Sequence, residues 1–390
     1  MIRHNLITTL LTTAILAAAP LARAADKLPQ TDTEKKALDY LLSKQGPDGA
    51  WIPQPGPAIT AMAVKGLLHG GHHIDEPAIR KALAYIKSTR QLDGGFYIDS
   101  NATYNTSITL TTLASLPDDA RADWSDAIKG AQGFLIAIQS GAEGAQTDDK
   151  GKLVTPEHPW YGGWGYGQGT KVKPGRRPDL SNTQFVIEAL RTSGIPASDD
   201  SIKNALIFLT RTQASDQNDL AWAKAQPHDG GFIYGMGFNA QHDFYGQSEG
   251  PDSKDRDGND ILTTYGSMTY AGLRSLIFAD LKKDDPRVQA AMRWIRGSYT
   301  LDVNPGLNNA QGLYYYYHTF AACLDAYGED TLTDAKGTKH NWRDEFNTKM
   351  TALQKPDGSY INAASRFMES NPVLVTSYVV LSLQSARGIK

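Results

Sequence analysis

Stretches with apolar residues three and four apart recur along the chain in two alternating kinds. One kind keeps a charged face, as in Glu34 to Lys44 and Asp75 to Lys87, and predicts helices with one side in water. The other is apolar or small on nearly every side. These runs begin near Ala58, Tyr104, Leu180, Thr264, Tyr315 and Pro372, and predict helices buried all round.

A short glycine-aromatic element joins each outer run to the inner run that follows. The clearest unit is "KALDYLLSKQGPDGAW", with Gln45, the turn Asp48-Gly49 and Trp51. A second, "KALAYIKSTRQLDGGF", has Arg90 in the glutamine place, Asp93-Gly94 and Phe96. Gln139 with Gly162-Gly163-Trp164, Gln213 with Asp229 to Phe232, and Gln354 with Asp357-Gly358 and Tyr360 mark three more. The remaining copy is degenerate, with Tyr299 for glutamine and Gly312-Leu313-Tyr314 as its glycine-aromatic step. Asp-Gly supplies a residue able to take φ > 0 where the chain reverses. The aromatic is expected to pack over the preceding helix end, where a glutamine amide satisfies loose backbone groups.

Six outer-inner pairs make 12 helices of one all-α fold, an (α/α)6 toroid. Closing the ring covers the apolar faces that a linear array has to cap. A length of 390 residues alone suggests two or three domains. The repeats argue instead for a single domain over 25–390, about 61 residues per unit.

The first 24 residues differ from the rest. Arg3 and His4 precede an apolar run from Leu6 to Leu21, and Ala22-Arg23-Ala24 has the small residues of a cleavage site. Residues 1–24 read as a signal peptide, which implies an exported, periplasmic or secreted protein with no membrane span after cleavage. Without Arg3 and Arg23 the chain has 37 basic and 42 acidic side chains, a net charge of −5. That balance excludes a nucleic-acid binder with a basic face. Cys323 is the only cysteine and has no intrachain partner; it reads as a small buried side chain.

The order of aromatic, aliphatic run, glutamine, glycine and tryptophan resembles the QW repeat of the terpenoid cyclase and protein prenyltransferase family. The resemblance covers the mature chain and implies the α/α toroid, with an isoprenoid as the expected ligand. The family's catalytic motifs are not reproduced. No D-x-D-D string occurs; the acid in the nearest comparable place is Asp179, just before the third inner helix. Its structural alternative is a helix cap by Asp179 or Ser181, with Ser181 and Gln184 as a capping box. Asp325 follows Cys323, the reverse of the order in prenyltransferase zinc sites, and two residues apart on a helix point about 160° away from each other. Asp118, Asp119 and Asp123 approach the spacing of a magnesium-diphosphate motif but follow Pro117 in a connector. No metal and no cofactor is therefore expected.

The inner-helix starts carry the candidate cavity residues: Tyr104, Asn105, Asn182, Tyr265, Ser267, Met268, Tyr315, Tyr316, Ser377 and Tyr378, with Asp179 and His318 as candidate catalytic groups. In "GLYYYYHTF" four consecutive tyrosines cannot all face packing partners, so some hydroxyls must reach water, a ligand or a polar partner. Aromatic faces suit a carbocation, a sugar ring or a lipid tail. His318 has Asp325 seven residues on, so a hydrogen-bonded structural histidine competes with a general base. Two insertions, at 140–162 with 165–178 and at 214–228 with 233–262, are expected on one rim. The first carries "EHPWYGGWGYGQG", running through Trp164, whose glycines and aromatics suit a flexible stacking platform near the cavity mouth. The second contains Asp255, Asp257 and Asp260, a weak calcium-loop pattern without its terminal glutamate.

Three functions follow as expectations. The first is an exported terpenoid cyclase- or prenyltransferase-like toroid that binds, and cyclises, a hydrophobic small molecule such as an isoprenoid. The second is a non-catalytic lipid- or protein-binding toroid. The third, less favoured, is a secreted carbohydrate-active toroid, which needs two carboxylates across a groove.

Overall fold

A computed structural model describes residues 28–142, 146–169, 172–175, 177–238, 244–251, 253–254 and 260–389. The expected signal peptide and, of the acidic loop, Asp255 and Asp257 lie outside the described residues. In chain order the helices are α1 (Asp32–Ser43), α2 (Ala58–His69), α3 (Pro77–Ser88), α4 (Ala102–Ala114), the short α5 (Asp118–Ala122), α6 (Ser125–Ala137) and α7 (Leu180–Thr192). There follow α8 (Asp200–Thr212), the short α9 (Ala221–Lys224), α10 (Gly266–Phe278), α11 (Pro286–Gly297), α12 (Leu313–Tyr327), α13 (Trp342–Leu353) and α14 (Pro372–Ala386). None is long and apolar enough to cross a membrane.

The inner ring consists of α2, α4, α7, α10, α12 and α14. Each touches the next in that order, and α14 returns to α2, so the ring closes. Outer helices α1, α3, α6, α8, α11 and α13 pack around it. The burial pattern explains the two layers: every α7 residue from Leu180 to Leu190 is buried, whereas α3 buries only Ile79, Ala82, Leu83 and Ile86.

One set of contacts recurs from unit to unit. The glutamine amide donates to its own turn and to a carbonyl at the start of the next outer helix. Gln45 reaches Gly49 O at 2.9 Å and Ala78 O at 2.7 Å; Gln139 reaches Gly162 O and Ser201 O; Gln213 reaches Gly230 O and Arg287 O. Gln354 completes the circle by donating to Thr33 O at 2.8 Å. The glutamine thus ties neighbouring units together, rather than only closing the helix end before it. Arg90 does the same through Asp126 O, and Tyr299 substitutes a hydroxyl bond to Glu345.

The turn aromatics are held through their backbone N–H and, where the ring has a donor, through the ring as well. Trp51 and Trp164 donate their Nε1 to Leu41 O and Leu135 O, each at 2.6 Å. The backbone N–H of Trp51, Phe96, Trp164, Phe232 and Tyr360 donates to Thr60, Thr106, Thr183, Thr269 and Thr376 on the following inner helix. The glycine before it has φ near +90°, and a Cβ at Gly49 would lie 2.5 Å from Lys81 O of the next outer helix. Only glycine fits such a turn pressed against another backbone.

The two insertions pack on each other at one end of the ring. Val154, Trp160, Ala214, Trp222, Ala223, Ile233 and Met236 form a small second core. Trp160 Nε1 donates to Met236 O, and Arg211 donates to His158 O and Pro156 O. Short antiparallel hairpins, among them Gly235–Phe238 with Phe244–Gln247, extend from it.

Candidate active site

A cavity of about 250 Å³ opens at the N-terminal ends of the inner helices. That is far above the ~10–15 Å³ a single water needs. Its apolar body is Ile59, Met62, Ile108, Met268 and Leu374, and six tyrosines wall it: Tyr104, Tyr166, Tyr234, Tyr265, Tyr315 and Tyr378. Glu249, Phe367 and Met368 complete the mouth. Glu249 pairs with Arg366, while Phe367 and Met368 are nearly half exposed and carry positive φ angles.

The N–H groups of the inner-helix starts are satisfied by the protein. Asn105 on α4 accepts from Ala58 N at 3.0 Å, Asn304 from Ser267 N at 2.9 Å, and Glu369 from Tyr315 N at 2.8 Å. Asn371 caps α14. Burial pushes the Glu369 carboxyl above its ordinary range despite these bonds.

Asp179 is the N-cap of α7: one carboxylate oxygen accepts from Asn182 N at 2.7 Å and the other from the Asn182 amide at 2.8 Å. The Ser181–Gln184 capping box does not form, because both side chains turn to the Tyr315 hydroxyl instead, at 2.7 and 3.3 Å. Asp179 does not border the cavity. Tyr234, which does line the cavity, neighbours Asp179, and the Tyr234 and Tyr166 hydroxyls lie 3.1 Å apart. The backbone sets this adjacency, since Leu180 N donates to Tyr234 O at 2.7 Å. Burial pushes the Asp179 carboxyl up to about 7, against the lowering by its Asn182 hydrogen bonds and the neighbouring Tyr234 hydroxyl. A second hydroxyl chain runs from Tyr104 to Ser181 at 2.6 Å and on to Tyr315.

Of the sequence-derived candidates, Tyr104, Tyr265, Met268, Tyr315 and Tyr378 line the cavity. Asn182 is fully buried behind Asp179. Trp164 is fully buried at the helix layer, held by its bonds to Leu135 and Thr183, so it is scaffold and not a stacking platform. Tyr316 points away and donates to Thr300 O at 2.7 Å, as Tyr317 does to Leu301 O; this is how the tyrosine run satisfies its hydroxyls.

His318 lies outside the cavity lining, stacked between Phe185 and Tyr378 with ring centroids at 6.2 and 5.4 Å. Its expected partner Asp325 is taken by Arg343 at 2.9 Å, and the buried His318 Nδ1 has no partner. Burial lowers the imidazole to about 4, which leaves it neutral and poorly suited as a base at neutral pH. Cys323 is fully buried and burial pushes its thiol up, so it is core.

Sequence reasoning reached Tyr166 only as part of the aromatic-glycine stretch expected at the cavity mouth, and missed Tyr234, Glu249 and Met62. Tyr166 lies inside the aromatic-glycine insertion and Tyr234 two residues past the Gly231-Phe232 turn. Their only signal was nearness to an insertion, which does not tell which ring faces inward.

The C-terminal domain of squalene-hopene cyclases matches residues 8–124 of this chain. No curated protein matches it. Among solved structures, the type II terpene cyclase MstE from Scytonema, in complex with its product merosterolic acid A, is 16% identical at a TM-score of 0.51. That alignment covers 92% of this chain and 97% of the cyclase. An α-1,6-mannanase from Salegentibacter is 9% identical at a TM-score of 0.55, covering 91% of this chain and 98% of the mannanase. At these identities the structural matches speak for the fold alone. The sequence match makes residues 8–124 similar to that cyclase domain, and the structural matches give the whole chain the α/α toroid fold.

Proposed function

We propose that this is an exported terpenoid cyclase-like toroid whose cavity holds an isoprenoid or a comparably apolar small molecule, and that Asp179 supplies the proton that starts its cyclisation. The observation that carries the reading is a buried carboxyl, pushed up to about 7, beside a phenol that lines a cavity with an apolar body and tyrosine walls. Related solved structures hold such ligands: MstE is described with geranylgeranyl dihydroxybenzoate as substrate.

In this mechanism the Tyr234 hydroxyl gives its proton to an alkene carbon, forming a C–H bond and leaving a cation on the neighbouring carbon. Asp179 returns a proton to the Tyr234 oxygen as its own O–H bond breaks. The resulting carboxylate is held by the Asn182 N–H and amide. The faces of the wall tyrosines favour the cation. Loss of a proton from the cyclised product restores the Asp179 carboxyl.

Mass spectrometry of small molecules that co-purify with the full chain tests the ligand class; an oligosaccharide in place of a polyprenoid or triterpene would overturn it. The carbohydrate reading already lacks its pair of acids, since Glu249 is the one carboxylate on the described lining and Arg366 occupies it. Asp179→Asn keeps the cap, because asparagine caps as well as aspartate, and should abolish conversion of the bound ligand while leaving its binding within about twofold. Conversion by neither form would favour the non-catalytic lipid-binding alternative, a reading consistent with Asp179 standing behind Tyr234.

A further inference from the structure

Below the cavity, the ring axis is crossed by the stack of Phe185, His318 and Tyr378. Three residues farther along their helices than Met62 and Phe185, about 4.5 Å of rise, come Lys65 and Glu188. Arg274 on α10 joins them. Neither Lys65 nor Arg274 borders the cavity, and their side chains are 18% and 12% exposed.

The hydrogen bonds of this cluster do not balance. Both Glu188 oxygens are taken by Arg274, at 2.6 and 2.7 Å. Lys65 Nζ is 3.9 Å from the nearer of them, beyond hydrogen-bond reach, and donates no hydrogen bond among the described residues. Arg274 Nε and His318 Nδ1 are buried without a partner. The group therefore has two cations, one carboxylate, two donor sites with nothing to receive them, and a neutral imidazole nitrogen without a partner. Buried charges and buried donors are ordinarily paired, because leaving them bare costs free energy. An acceptor with one negative charge would match this set of groups.

We propose that Lys65, Arg274 and His318 form a binding site for a small monovalent anion, with Glu188 holding the Arg274 guanidinium in place. Charge fixes the valence: one anion brings the cluster to neutrality, and a divalent one would reverse it. Steric room fixes the size, since the donors sit on packed inner helices and not on the cavity wall. Chloride and formate both meet these conditions, and neither depends on what the cavity above binds or converts.

The test uses the full chain at constant ionic strength, with gluconate, too large for the site, as the balancing anion. Replacing gluconate with chloride, and separately with formate, should raise the thermal midpoint in a saturating manner, as expected for a ligand of the folded state. Lys65→Met keeps the side-chain stem and should abolish that rise. Broadening of the chloride-35 resonance by the wild-type protein, reversed by formate, should fall at least fivefold in the variant. A rise with only one of the two anions identifies the occupant and sustains the site. Flat midpoints together with an unbroadened resonance, or an equal rise in wild type and Lys65→Met, overturn it and leave water as the occupant. Should Lys65→Met not fold, Lys65→Gln replaces it, and formate reversal of the wild-type resonance decides alone.

Discussion

The two ends of the inner ring are built from the same six helices and differ in how they treat charge. At the cavity end the helices begin, and carboxylates are buried as caps: Asp179 on α7 and Glu369 on the first turn of α12. Desolvation prevails there, and both carboxyls are pushed up. Toward the other end Glu188 is just as buried. Burial works to raise it too, but Arg274 and Lys65 outweigh burial and bring it down to about 2. The comparison teaches that burial alone does not set the state of a carboxyl in this ring. Tyrosines and amides as neighbours leave a proton source, and cations as neighbours leave a fixed anion.

The strongest way to break this comparison is Glu188→Gln. It leaves Arg274 and Lys65 buried without a counter-charge, and should cost about 3–5 kcal/mol in denaturant unfolding at unchanged slope. A loss below about 1 kcal/mol would mean that solvent or a bound anion already offsets the two cations.

The pH response should separate the two ends by sign. The Asp179 carboxyl stands at about 7 in the folded chain against an ordinary 3.8. Its contribution is therefore fully present below pH 4 and lost as pH rises towards 7, at most about 4 kcal/mol at 1.36 kcal/mol per pH unit. Asp179→Asn should remove that decline. Glu188 runs the other way: with its carboxyl lowered to about 2 from an ordinary 4.5, its contribution is present above pH 4.5 and lost as pH falls towards 2. Stability curves of wild type and Asp179→Asn that stay parallel between pH 4 and 7 would contradict the buried acid.

Smaller effects sharpen the contrast. Asn105 caps a neighbouring inner helix through Ala58 N, so Asn105→Ala should lose about 1 kcal/mol in the same unfolding measurement. Glu249 pairs with Arg366 at the wet mouth, where Arg366 is about half exposed. Glu249→Gln should therefore shift unfolding by less than about 1 kcal/mol, in contrast to the same change at Glu188.

The units themselves were legible because helix periodicity and turn chemistry act locally. Gln45, Gly49 and Trp51 carry their signal within seven residues, and the same contacts recur where the same letters do. The threonines at 60, 106, 183, 269 and 376 were overlooked, since a threonine in an apolar run has no signal until a turn N–H is seen beside it. Among the candidate site residues, those on the first turns of inner helices, such as Tyr104, Tyr265 and Tyr315, were found from position alone. Trp164 and Tyr316 were misread for one reason: an aromatic near an inner-helix start points either into the cavity or between layers, and neighbouring helices decide which.

What the sequence determined by itself was the alternation of half-wet and wholly buried helices and the glycine turns that join them, because these depend on contacts a few residues apart. Only the tertiary structure decided that Asp179 stands behind Tyr234, that Asp325 belongs to Arg343 and not to His318, and that Lys65, Glu188 and Arg274 meet. Those partners come from helices tens to hundreds of residues apart. Their depth along the ring axis follows from how six helices pack, which no local pattern records.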